Sequence, residues 1–179
     1  MQKIKLYDKY FELSIPNQDI EESIHEQASI MSEDNMDKEI LFIVVLNGSF
    51  MYAAELVKNY TSPCKISFVK LASYHGTSSK GSVDELIGLT EDIEDRDIMI
   101  LEDIVDTGTT LEKVVHLLKQ RNPRSIGVAT MLLKPDAYKK DIPVNYAAII
   151  VPNDFIVGYG LDYDGLGRNL KDIYKISNS

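Results

Sequence analysis

The chain of 179 residues has no tryptophan, a single cysteine and three histidines, and its 19 basic side chains are outnumbered by 28 acidic ones. Each shortage excludes something. Cys64 cannot close an internal disulfide, so it is expected as a small buried or half-buried residue. One cysteine and the scattered His25, His75 and His116 leave no zinc-type ligand set. A net charge of −9, with no basic run, argues against a nucleic-acid surface. No apolar run approaches the ~20 residues of a membrane-spanning helix, and Met1-Gln-Lys-Ile-Lys5 is not followed by the long apolar stretch of a signal peptide. These absences predict a soluble, cytoplasmic protein. Neither a Walker sequence nor G-x-G-x-x-G occurs, which sets aside a P-loop enzyme and a dinucleotide fold.

What is present is a 44% apolar composition, enough for one core, in a chain of single-domain length. The most informative stretch is Ile98-Met-Ile-Leu-Glu-Asp-Ile-Val-Asp-Thr-Gly-Thr-Thr-Leu111. Four apolar residues run into the acidic pair Glu102 and Asp103; Asp106 and the turn Thr107-Gly108-Thr109-Thr110 follow. Leu111, Val114, Val115 and Leu118 then recur at helical spacing. This order reads as buried strand, acidic pair, glycine- and hydroxyl-rich turn, helix. A turn that opens a helix presents free N–H groups and the positive end of the dipole, which suits a phosphate. Carboxylates just ahead of it can hold Mg²⁺ directly or through water. In open α/β sheets ligands bind at such strand ends. The plain structural alternative is a strand-to-helix junction closed by a Thr109/Glu112 capping box.

Other segments repeat the pattern. Ile40–Leu46 is a continuous apolar run, as in a strand covered on both faces, and the turn Asn47-Gly48-Ser49 leads into a helix with Phe50, Ala53, Ala54 and Val57 on one face. Ile66–Ala72, Ser125–Leu133 and Tyr146–Val151 are further strands, with a returning strand over Val83–Leu89. Ile20, Ile24, Ala28 and Met31 predict a helix from Asp19. His25 falls off its stripe, and His116 beside the core face of the later helix reads as structural. The polar, glycine-rich 73–82 cannot bury much and reads as a mobile loop. The acidic balance poses a question: such a chain can bind a polyanion only with metal ions or local Lys and Arg.

Ile100-Leu-Glu-Asp-Ile-Val-Asp-Thr-Gly-Thr-Thr110 resembles the phosphoribosyl-pyrophosphate (PRPP) signature of the type I phosphoribosyltransferases. Val151-Pro-Asn-Asp-Phe-Ile-Val-Gly-Tyr-Gly-Leu-Asp-Tyr-Asp-Gly-Leu-Gly-Arg168 resembles the purine-holding stretch of their hypoxanthine-guanine branch, and the resemblance runs from about Ile40 to Arg168. It implies one domain over 1–179: a mostly parallel, helix-flanked α/β core at about 19–150, with a small hood from about 1–18 and 151–179. The reaction implied is transfer of 5-phosphoribosyl from PRPP to N9 of hypoxanthine or guanine, giving IMP or GMP and pyrophosphate, in a homodimer or homotetramer. A PRPP-sensing, nucleic-acid-binding regulator of the same fold is the alternative, disfavoured by the acidic charge.

The resemblance also implies roles. Thr107, Gly108, Thr109 and Thr110, with Glu102, Asp103 and Asp106, bind the 5-phosphoribosyl moiety, and Asp106 is the general base. Glu102, Asp103 and Asp162 lie near Mg²⁺. Asn47, Gly48 and Arg168 take the pyrophosphate; many family members have lysine where this chain has Asn47, and the Leu46–Asn47 peptide is expected to be cis. Lys134 meets O6 of the base, Phe155 stacks on it, Ile156 offers its backbone to it, and Asp162 lies nearby. Ser73 and Tyr74 belong to a lid. Xanthine, adenine or orotate remain possible acceptors, with Lys134 and Phe155-Ile156 favouring a 6-oxopurine.

Overall fold

The computed structural model describes residues 3–75 and 82–177. The larger of its two sheets is built where the apolar runs predict strands. Its members are β3 (Ile40–Val45), β4 (Cys64–His75), β5 (Ser82–Ile87), β6 (Asp97–Val105), β7 (Ser125–Leu133) and β8 (Tyr146–Ile150), in the order β5-β4-β3-β6-β7-β8. All neighbours are parallel except β4 and β5. Every residue of β3 is buried, as a central strand covered on both faces requires.

The two faces are covered by different helices. On one, α1 (Asn17–Asp34) and α2 (Phe50–Asn59) lay Ile20, Ile24, Ala28, Met31, Tyr52 and Leu56 on Phe42, Val44, Met99 and Leu101. On the other, α3 (Thr109–Lys119) lays Leu111, Val114, Val115 and Leu118 against Ile43, Ile98 and Ile100. Alternate residues of β3 and β6 therefore feed opposite cores, as the two-residue period of a strand dictates. No helix among the described residues is long and apolar enough to cross a membrane.

The chain ends form a second, antiparallel sheet from β1 (Lys3–Leu6), β2 (Lys9–Ile15), β9 (Ile156–Val157) and β10 (Ile173–Ile176), in the order β1-β2-β10-β9. Its small core is Phe11, Val157 and Tyr174. Asp172 ties this sheet to the body: its carboxylate accepts the Asn17 N–H at the start of α1 at 2.8 Å.

Several details differ from the sequence expectation. Helix α1 begins at Asn17 because Pro16, with φ −65° and ψ 150°, already stands as its N-cap. The capping box does not form: Gly108, at φ 78°, is the N-cap of α3, and Glu112 pairs with Lys140 at 2.7 Å instead. His116 is exposed and shares a hydrogen bond with Gln120. The tip of the expected lid, 76–81, lies outside the described residues, as do the side chains of Ser73 and Tyr74. Their backbones pair with Asp84 and Val83 as the last part of β4.

Candidate active site

The acidic pair lies inside β6 rather than after it. Asp103 continues the line of Met99 and Leu101 toward the α2 face. Glu102 is only 5% exposed, and its Oε1 has no hydrogen-bond partner among the described residues. Burial, and secondarily the neighbouring Asp103, pushes the Glu102 carboxyl well above the usual range. Asp103 accepts the Ile104 N–H through Oδ1 at 2.8 Å; burial nevertheless pushes its carboxyl up to about 6. No three His, Cys, Asp or Glu side chains converge as a metal-ligand set among the described residues.

The donor set still suits a hard cation. An orphaned, buried carboxylate oxygen beside a carboxyl held near neutrality is a place where positive charge would be welcome. Magnesium retains several waters and takes few protein oxygens, completing its shell with phosphate oxygens of a substrate.

From Asp103 a chain of close backbone contacts leads to Arg168. The Leu46–Asn47 peptide is cis, as the resemblance implied, and Gly48 lies against the Asp103 carboxylate, where any Cβ would collide with it. The carbonyl of Gly48 is in turn covered by Gly160, whose missing Cβ makes room for it and whose φ of 98° suits glycine. Gly160 donates its N–H to the Arg168 carbonyl at 3.0 Å, and Arg168 Nη1 returns a bond to the Gly160 carbonyl at 2.7 Å. Arg168 Nη2 pairs with Asp162 Oδ1 at 2.6 Å, while Asp162 Oδ2 accepts the Gly165 N–H at 2.7 Å. Asn47, Gly48, Arg168, Asp162 and Asp103 thus fall in one connected set. Asp162 is committed to Arg168, which leaves the guanidinium part of its donor fork for an anion.

A second chain of contacts leaves the end of β6 on the other side. The Lys134 N–H donates to the Val105 carbonyl at 2.9 Å, next to Asp106. The Lys134 side chain is buried, and its Nζ donates to the Asp154 carbonyl at 2.7 Å, next to Phe155. An ammonium carries three donors, so two stay available. Phe155 is 44% exposed, an open aromatic surface, whereas Ile156 is buried in β9. Asp106, Thr107, Thr109 and Thr110 are all exposed at the mouth of α3. The Asp106 carboxylate accepts the Thr107 N–H, and the Thr107 and Thr109 hydroxyls lie 3.2 Å apart.

Three contributors were not read from sequence. Gly160 is one glycine of a longer motif, and the alternation Gly158-Tyr159-Gly160 is its one local sign of close backbone approach. Tyr138 and Lys140 pack on Gly108, where a Cβ would strike the Tyr138 ring, so they brace the phosphate-type turn from a loop that carried no signal.

The comparisons agree with this geometry. Residues 16–164 match the model of the phosphoribosyl transferase domain. A hypoxanthine-guanine phosphoribosyltransferase of Staphylococcus epidermidis is 41% identical over 157 residues, 87% of this chain and 88% of the relative. A crystal structure of a hypoxanthine phosphoribosyltransferase from Staphylococcus aureus superposes with a TM-score of 0.83 at 36% identity, covering 93% of this chain and 91% of the other. A hypoxanthine-guanine phosphoribosyltransferase from Bacillus anthracis gives 0.81 at 29% identity, over 93% and 97% of the two chains. The chain belongs to the phosphoribosyltransferase family, within its hypoxanthine-guanine branch.

Proposed function

We propose that the protein is a purine-salvage transferase that moves the 5-phosphoribosyl group of PRPP to N9 of hypoxanthine or guanine, forming IMP or GMP and pyrophosphate. The observation that carries this reading is the meeting, at the end of β6, of two sets of groups. A buried ammonium, Lys134, is bonded to the carbonyl of Asp154, the residue before the half-exposed Phe155, and its own N–H is bonded to Val105, the residue before the turn Asp106–Thr110 that opens α3.

Each group has a task. The free N–H groups of the Thr107–Thr110 turn and their hydroxyls hold the 5′-phosphate, and that anchor fixes the ribose relative to the base. The base stacks on Phe155, and a spare Lys134 donor meets a carbonyl at position 6, which an amino group there could not replace. The C1′–oxygen bond of PRPP breaks with its electron pair leaving on pyrophosphate, and N9 forms the new bond to C1′. The proton on N7 of the base passes to the Asp106 carboxylate. Arg168 and the backbone at Asn47-Gly48 receive the departing pyrophosphate. Magnesium, held near Asp103, Glu102 and Asp162, would supply countercharge to the polyphosphate, which resolves how a chain of net charge −9 accepts a polyanion.

The reading includes a cytoplasmic homodimer or homotetramer. Its oligomeric part is supported by exposed Phe50, Ile66, Phe68 and Ile87, the last three on one face of the β4–β5 end of the sheet.

The test is turnover of PRPP and Mg²⁺ with hypoxanthine, guanine, xanthine and adenine offered singly, for the wild type and Asp106→Asn. Turnover with a 6-oxopurine, absent with adenine and lowered about a hundredfold or more in the variant, supports both the substrate class and the base. Turnover indifferent to the substitution removes Asp106 from that role, and preference for adenine removes the role given to Lys134.

A further inference from the structure

The β1–β2 hairpin carries a cation that no part of the mechanism above uses. Lys9 opens β2, opposite Leu6, and its Nζ lies 4.5 Å from the centroid of the Tyr163 ring and 5.5 Å from that of Phe155. Tyr163 meets Phe155 edge-on, with centroids 5.8 Å apart and planes at 84°. Phe11, buried beneath, tilts against both rings at 6.2 Å. Asp8, the residue before Lys9, accepts the Tyr163 hydroxyl at 2.9 Å, so the hairpin grips Tyr163 at its far end as well. Among the described residues no carboxylate lies within ion-pair distance of Lys9. Its charge is therefore directed at the two rings.

We propose that Lys9 is a further positioning residue of the purine site, acting through Phe155 and Tyr163; this rests on the reading of Phe155 as the base-stacking ring. Aromatic faces are electron-rich, and a cation placed over them is attracted and draws their density toward itself. Lys9 and Asp8 therefore fix Tyr163, Tyr163 fixes the rotation of Phe155, and the polarised platform offers a less negative surface to the base. Such a surface favours a base that is gaining negative charge as its N–H proton leaves for Asp106. The N-terminal hairpin is in this way part of base recognition.

The experiment compares Lys9→Met, which keeps the length and apolar stem and removes the charge, with Lys9→Arg, which keeps the charge and stacks on rings. KM for hypoxanthine and KM for PRPP are measured for both, with thermal unfolding as a check on folding. Lys9→Met is expected to raise KM for hypoxanthine about three- to tenfold with KM for PRPP unchanged, and Lys9→Arg to restore it to within about twofold of wild type. An unchanged hypoxanthine KM in Lys9→Met overturns the inference. So does an equal rise in both KM values, or an Arg variant as impaired as the Met variant, since either marks a merely structural role. A wild type that transfers to no 6-oxopurine overturns the functional reading itself, which these outcomes do not touch.

Discussion

Asp103 offers the sharpest thermodynamic prediction, because the structure makes it costly to the apo fold. Burial raises its carboxyl from 3.8 to about 6, against the opposing pull of the Ile104 N–H and of Arg168. In the pH window between those two values the native state holds a proton that the unfolded chain has released. Stability then falls as pH rises through the window, and the full loss is felt above it. At about 1.4 kcal/mol per pH unit, the difference corresponds to at most about 3 kcal/mol at pH 7.5. Asp103→Asn keeps an Oδ1 for the Ile104 N–H and abolishes the charge. The variant should therefore be more stable than wild type by about 1–3 kcal/mol at pH 7.5, a rise in Tm of about 2–12 °C for a chain of this size. The gain should shrink to about 0.5 kcal/mol at pH 4 and to nearly nothing below about pH 3, where the carboxyl is neutral in both folded and unfolded chains. Urea unfolding at pH 4 and pH 7.5, without ligand, measures it. A second arm adds Mg²⁺ and PRPP, which should raise the Tm of the wild type more than that of the variant. A variant no more stable than wild type at pH 7.5, or a gain of equal size at both pH values, would refute the reasoning.

Other substitutions probe the rest of the site. Gly160→Ala forces a Cβ into the Gly48 carbonyl at a φ of 98°, so it should cost about 1–3 kcal/mol of stability and raise KM for PRPP about tenfold or more; an unchanged KM would disconnect Gly160 from the pyrophosphate loop. Asn47→Lys adds a cation at that loop and should lower KM for PRPP about three- to tenfold, most clearly at low ionic strength; a higher KM would show that the added side chain does not reach the pyrophosphate. Lys134→Gln replaces a pure donor with a group that both donates and accepts, so turnover with adenine relative to hypoxanthine should rise by about tenfold; an unchanged ratio would take Lys134 out of base discrimination.

The central parallel strands were legible because β3 is a wholly apolar run and β6 and β7 each carry one, and few other structures bury both faces of a strand. The phosphate-type turn was legible because Gly108 and its threonines follow such a run directly. The acidic pair shows the limit. Its composition announced a site, but nothing local showed that β6 runs on through Val105 with the pair inside the strand. The sheet of the chain ends is the opposite case. Its strands are short, and only the resemblance pointed to a hood, because the pairing of β2 with β10 spans the length of the chain. Contacts such as Gly160 on Gly48, or Lys9 over Phe155, depend on that pairing and leave no local pattern.

The most direct measurement follows the phosphorus atoms of one reaction containing the wild-type protein, PRPP, Mg²⁺ and hypoxanthine by ³¹P NMR. Loss of the PRPP diphosphate signals should be matched mole for mole by free pyrophosphate and by the phosphomonoester of IMP. Pyrophosphate released without IMP, or PRPP left intact beside hypoxanthine, would contradict a transferase acting on a 6-oxopurine.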